Sequence, residues 1–130
     1  RFDYVLFTGL FYHLRAPLFV LDRAALIFKE KLYFQTVLRG DDFSAPETDV
    51  PDNIDINDLD VFRQPNFPKA YFVEKLANGD VSNWWFVNTA CARAMLRSAG
   101  LTRFEQVSDD TFVCAPPPDP SKVPTYGTLW

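Results

Sequence analysis

Apolar side chains run unbroken through Tyr4, Val5, Leu6 and Phe7, so residues 3–8 read as a strand covered on both faces, the pattern of a central parallel strand. Gly9 permits a turn, and a mostly apolar loop over residues 10–14 carries Tyr12 and His13. Pro17 suits the first turn of a helix, and Leu18, Leu21, Ala25 and Phe28 recur at helical spacing as one buried stripe. Lys29 and Lys31 then fall near the carbonyl end of that helix, where positive charge is favourable. Residues 32–37, Leu-Tyr-Phe-Gln-Thr-Val, are strand-like in content. Strand, helix and strand in this order predict two parallel strands of one sheet.

The pattern breaks over residues 40–68, which hold four prolines and only scattered apolar side chains, and this stretch reads as an insertion or lid. A short strand is expected at residues 71–74, followed by a turn at Asn78-Gly79. Residues 83–87, Asn-Trp-Trp-Phe-Val, form an aromatic patch directly before a helix. Asn88 is the expected N-cap of that helix over residues 89–99, with Gly100 closing it. Its apolar face is Ala92, Met95, Leu96 and Ala99, and Arg93 and Arg97 share another face. Residues 104–107 and 111–115 predict two strands joined around Asp109-Asp110. The proline-rich residues 116–130 are expected to run as an extended surface segment.

Composition narrows the class. With 48% apolar and 23% charged residues in 130, the chain falls outside the disordered class and holds one domain or part of one. Thirteen Phe, five Tyr and three Trp exceed what a small core usually holds, so some of this area is expected to line a pocket, cover a partner surface or pack against a further portion of the protein. No apolar run approaches the roughly 18 residues of a bilayer span. With no secretory leader visible either, a cytoplasmic protein is the expectation. Cys91 and Cys114 form no metal or redox spacing and read as reduced, buried thiols, with a single bridge or a reactive cysteine as the other reading.

The net charge of -4 is concentrated: between Arg39 and Arg63 lie eight acids and no base. Such a block repels a phosphate backbone, so an RNA partner would need another face. The run from Asp52 to Asp60 invites a calcium-loop reading, but it lacks the glycine and terminal glutamate of that loop, and a solvated acidic loop is expected with no metal.

Two motifs carry a family resemblance. The segment Phe7-Thr8-Gly9-Leu10-Phe11-Tyr12-His13-Leu14-Arg15-Ala16-Pro17 closely resembles the G-V-L-Y-H-x-x-x-P segment of class I S-adenosylmethionine-dependent methyltransferases, in the branch containing the wobble-uridine tRNA methyltransferases and uncharacterised relatives. Asn83-Trp84-Trp85-Phe86-Val87, with Ala94-Met95-Leu96-Arg97-Ser98-Ala99-Gly100-Leu101 after it, is similar to that branch's N-x-W-F, helix and closing glycine. The resemblance implies an α/β fold: the C-terminal half of a Rossmann-like methyltransferase sheet, with an acidic insertion and a closing antiparallel strand pair. Residues 3–8 would be its fourth strand and 32–37 its fifth. Residues 1–115 would form the partial domain, with the insertion at about 40–70 and a tail from 116. The chain's five glycines include no Gly-x-Gly-x-x-Gly cradle, so the upstream half of the same domain is expected to supply it. Asn88 stands where the tRNA-modifying relatives usually have Pro, and Gln35 where Glu is frequent; both departures put the substrate in doubt more than the fold.

By the same resemblance the cofactor is S-adenosyl-L-methionine, bordered by Gly9, Leu10, Tyr12 and His13. His13 is the catalytic candidate, as a base or an acceptor-orienting group, and a loop histidine bonded to backbone is the structural reading beside it. Arg15, Asn83, Trp85 and Phe86 are the acceptor-site candidates, with core packing the alternative for Trp85 and Phe86 and a solvated side chain for Arg15. The intact protein is expected to be an enzyme of which this chain holds part. Methyl transfer to a small-molecule or sugar-like acceptor leads; a tRNA wobble-uridine modifying activity and a non-catalytic binding or scaffolding module are the alternatives.

Overall fold

The computed structural model describes residues 1–42, 44–46 and 48–125. Glu47 of the acidic run and the end of the proline-rich tail lie outside the described residues. Strand β1 (Phe2–Thr8) and strand β2 (Phe28–Gln35) pair in parallel, Phe7 opposite Phe34, and helix α1 (Pro17–Ala25) makes the crossover. Pro17 opens α1, where its missing N–H has no intrahelical acceptor to lose.

The helix stops earlier than its spacing predicts. Phe28, Lys29 and Lys31 belong to β2, and Leu18 is exposed; the buried residues of α1 include Leu21, Ala24 and Ala25. Phe28 satisfies both periods at once. It lies at helical distance from Leu21 and Ala25, yet also on one side of an alternation in which Phe28, Leu32 and Phe34 are buried while Lys29 and Lys31 are exposed. Pairing with β1 decides in favour of the strand.

The chain returns to this sheet only at its end. The hairpin of β5 (Phe104–Gln106) and β6 (Thr111–Cys114) joins so that β6 lies antiparallel between β2 and β5, giving the order β1-β2-β6-β5. The described chain is thus a mixed α/β unit with one parallel strand pair and a closing antiparallel pair, as the resemblance implied. Phe34 sits at the centre of its core, 5.6 Å from the Phe7 ring, 5.5 Å from Phe11 and 6.2 Å from Phe112. Leu21, Ala24 and Ala25 of α1 join the same cluster, as do Cys91, Ala92 and Leu96 of helix α3 (Thr89–Ser98). Among the described residues nothing comparable covers the opposite face of β1, and Phe2, Tyr4 and Leu6 are exposed.

Helix α3 is held at both ends as predicted. The Asn88 side chain accepts from the Cys91 N–H at 2.9 Å, and at the other end Gly100, at φ +82°, forms the closing motif with Leu101 N–H to Leu96 O and Gly100 N–H to Arg97 O, each 3.0 Å. A side chain at Gly100 would also meet Val123, 3.0 Å away. Val123 is buried, as is Pro117, so part of the tail packs on the core where its prolines predict only a surface segment. Proline forbids ladder bonds but is indifferent to burial of its neighbours.

A separate hairpin, β3 (Ala70–Phe72) with β4 (Trp85–Val87), spans the aromatic patch. Its turn at Asn78 and Gly79, both at positive φ, is closed by Ala77 and Asp80 bonding each other's backbone. Among the described residues between β2 and β3 the one helix is α2 (Leu59–Arg63), capped by Asp58. Acidic side chains there serve local turns, Asp55 accepting from Asn57 N–H at 2.9 Å. No helix among the described residues is long and apolar enough to cross a membrane.

Candidate functional site

Open α/β sheets place ligands at the carboxyl ends of their parallel strands, and at that end of β1 the chain turns sharply at Gly9, φ +63°. Two side chains pin this turn. The Gly9 N–H donates to Gln35 Oε1 at 2.7 Å, and Gln35 Nε2 donates to Asp110 Oδ2 at 2.7 Å. A carboxylate only accepts, so Asp110 fixes which end of the Gln35 amide faces Gly9. Asp110 also accepts from Thr111 Oγ1, and these bonds, that from Gln35 first, hold its carboxyl below the ordinary value of 3.8. Beside it, a cleft of about 720 Å³ is lined by Val37, Arg39, Gly40, Asp41, Asp109 and Asp110.

From Gly9 the chain passes through exposed Leu10 into a 3-10 turn, Phe11–His13. Phe11 is buried against Phe34, which leaves Tyr12 and His13 half-buried with their rings 4.4 Å apart. The Tyr12 hydroxyl folds back toward Gly9, where a methyl group on the glycine would lie 3.7 Å from it. The entry to β4 docks on this turn through Trp84 N–H to Tyr12 O at 2.7 Å, with the Phe86 ring 6.3 Å from Tyr12. The two motifs, some seventy residues apart in sequence, therefore form one surface.

His13 Nδ1 lies 2.9 Å from Ser82 O and 3.1 Å from Ser82 Oγ. Ser82 Oγ in turn donates to Asp80 Oδ1 at 2.7 Å. The Asp80 carboxyl is held below 3.8, first by the Ser82 hydroxyl and next by the Ser82 N–H.

The acceptor-site candidates divide. Trp85 donates its indole N–H to Arg15 O at 3.3 Å, and both border an apolar cleft of about 370 Å³ with Pro17, Phe19 and Met95. The Arg15 guanidinium lies over the Trp84 ring, 4.4 Å from its centre, in a cation–π contact. Asn83 is buried and points back to Asp80 O at 3.4 Å, a weak bond that shapes the turn. Gln35, Asp80, Ser82, Trp84 and Asp110 join the site without having been singled out for it. Their contacts depend on sheet order and turn geometry, which no local motif encodes.

No protein family matches the chain, and neither does any curated protein. Two solved structures resemble it. One is the N-terminal domain of EvdMO1 in the presence of SAH and D-fucose, 23% identical, with a TM-score of 0.47 over 88% of this chain and 45% of that one. The other is the N-terminal domain of EvdMO1 with SAH bound, 23% identical, with a TM-score of 0.48 over 88% of this chain and 44% of that one. The chain thus spans less than half the length of the structures it resembles.

Proposed function

We propose that residues 1–115 form the C-terminal half of an S-adenosyl-L-methionine-dependent methyltransferase domain, with residues 40–70 as its insertion, acting on a small-molecule, sugar-like acceptor. The observation that carries this reading is the meeting of the two resembling motifs. The Tyr12–His13 turn at the carboxyl end of parallel β1 is bonded directly to the start of β4 through Trp84 N–H and Tyr12 O. Such an end is where ligands of open sheets bind.

The residues present fit one wall of a cofactor site. Gly9 brings bare backbone to the strand end, with room around its Cα except toward the Tyr12 hydroxyl. Gly9, Leu10 and Tyr12 would border the cofactor, and the chemistry it supplies when bound is an electrophilic methyl on a sulfonium. His13 would take the acceptor's proton where the nucleophile must lose one. Trp85, Phe86 and Arg15 would shape the acceptor's room, with Asn83 holding the turn behind them. The other wall would come from an upstream half of the same domain, which would also cover the apolar face formed by Phe2, Tyr4 and Leu6, since parallel strands are normally covered on both faces. The tRNA-modifying branch rests on motif resemblance alone, and the acidic run between Arg39 and Arg63 works against a phosphate backbone.

The test is calorimetric titration of S-adenosylmethionine into the purified protein containing this chain. One-site saturable binding in the micromolar range supports the reading, and a second titration with D-fucose in the presence of S-adenosylhomocysteine then probes the acceptor class. A folded sample that binds neither cofactor form favours the non-catalytic module.

A further inference from the structure

We propose that Ser82 and Asp80, contributed by the β3–β4 hairpin, are positioning residues that hold the His13 ring as its Nδ1–H tautomer and leave Nε2 as the atom that accepts a proton. The proposal deepens the reading of His13 as the proton-transfer group and rests on it for its functional meaning. Its structural content follows from counting donors. Ser82 O is a carbonyl oxygen and only accepts, so its 2.9 Å approach to Nδ1 requires the hydrogen to be on Nδ1. Ser82 Oγ directs its own hydrogen to Asp80 Oδ1 at 2.7 Å and so offers a lone pair to the same Nδ1, 3.1 Å away. Two acceptors therefore specify one tautomer, and in the neutral ring Nε2 is then unprotonated.

The acceptors are themselves fixed. Asp80 Oδ1 also accepts the Ser82 N–H at 2.8 Å, closing a two-residue turn that sets the Ser82 side chain against the ring. On the histidine side, His13 N–H donates to Leu10 O at 3.0 Å, and Trp84 N–H donates to Tyr12 O at 2.7 Å, which ties the hairpin to the turn that carries His13. A proton taken at Nε2 converts the ring to imidazolium. Its Nδ1–H continues to donate to Ser82, and the Asp80 carboxylate, bonded to the same Ser82 hydroxyl, is opposite in sign to the new charge. Sequence offers no sign of this arrangement, because Asp80 and Ser82 sit in an ordinary polar turn.

His13 is the sole histidine of the chain, so long-range proton–nitrogen correlation on 15N-labelled protein reports a single ring, with no cofactor or acceptor added. At a pH where the ring is neutral, the expected spectrum has Nδ1 protonated and Nε2 of the unprotonated type. Ser82→Ala removes one of the two acceptors, and Asp80→Ala releases the Ser82 hydroxyl. Each is expected to shift the tautomer ratio toward Nε2–H by roughly fivefold, the size of one neutral hydrogen bond, while Asp80→Asn, which keeps an acceptor, restores most of it. A wild-type ring with Nε2–H as the major form overturns the proposal. So does an unchanged ratio in both alanine variants with a native amide spectrum. Should Asp80→Ala lose its dispersed amide spectrum, Ser82→Ala decides alone, since Ser82 is an exposed residue outside the hydrophobic core. The cofactor titration stands apart from this measurement: a correct tautomer with no cofactor binding refutes the methyltransferase reading and leaves the positioning intact.

Discussion

Along β1, neighbouring residues have opposite surroundings. Phe7 is 4% exposed and stacked on Phe34, whereas Leu6 beside it is 72% exposed, although both are large and apolar. One face of the sheet is closed by α1, α3 and the Phe34 cluster; the other presents Phe2, Tyr4 and Leu6 to solvent. A strand whose sequence suits two covered faces thus carries a second layer on only one of them. Stability therefore resides on the covered face, and the bare face is free to bury more.

The covered face depends most on its central ring. Phe34→Ala removes a fully buried ring in contact with three others. Its expected cost is about 3–5 kcal/mol, which for a chain this small means loss of the cooperative transition in urea. Retention of a sharp transition near the wild-type midpoint would show that the Phe34 cluster is not the folding core.

Asn88→Ala tests whether the covered side depends equally on polar clamps. Besides capping α3, the buried Asn88 side chain accepts from Lys69 N–H at 3.0 Å and donates to Phe67 O at 2.7 Å. Removing it leaves the Cys91 N–H at the helix start and two further backbone groups without those partners, an expected loss of about 2–4 kcal/mol by urea denaturation. Asn88→Asp keeps the cap acceptor but turns a carboxylate oxygen toward the Phe67 carbonyl, so it should recover only part of that loss.

The two thiols probe the same side through pH. Burial pushes Cys91 up to about 11 and Cys114 up to about 12, from an ordinary value of 9.0. In the unfolded chain both ionise first, so the unfolded state binds fewer protons above pH 9 and stability falls there as pH rises. The thiols' contribution is complete below pH 9 and is lost as pH climbs toward their folded values. The slope is at most ~1.4 kcal/mol per pH unit for each thiol. Comparing urea midpoints across this range with those of the Cys91→Ala, Cys114→Ala double variant isolates the effect from the lysines and tyrosines. At neutral pH both thiols should resist a thiol reagent until the protein unfolds.

The legible and illegible parts of the chain divide by how local their causes are. Helix α3 was readable because Asn88 and Gly100 bracket an apolar face with the right spacing, and β1 because a continuous apolar run leaves little choice. The start of β2 was not, because Phe28 fits two periods and only its pairing with Phe2 resolves them. Strand β4 is three aromatic-rich residues whose alternation is too short to register. In the candidate site, the placing of Gly9, Tyr12 and His13 in a turn after a strand is readable from the chain, while their proposed roles come from the motif resemblance. The Gln35–Asp110 bond joins residues 75 apart and exists only because β6 inserts beside β2.

The smallest expected effect is the most direct test of the bare face. Leu6→Lys places a charge where the sheet now presents an apolar side chain to water. In this chain the change should cost less than about 0.5 kcal/mol, because a lysine at such a site keeps its ammonium hydrated and gives up little packing. The same substitution at Phe7, one residue along and on the covered side, should abolish folding, since it would bury an unpaired charge. Urea denaturation at two protein concentrations, about tenfold apart, makes the contrast decisive. If Leu6→Lys is near-neutral and the midpoint is independent of concentration, the face is solvent-exposed in the monomer and available to another layer. If it costs more than about 2 kcal/mol and the wild-type midpoint rises with concentration, the chain already covers this face by associating with itself. The two sides of β1 would then differ in what covers them rather than in whether they are covered.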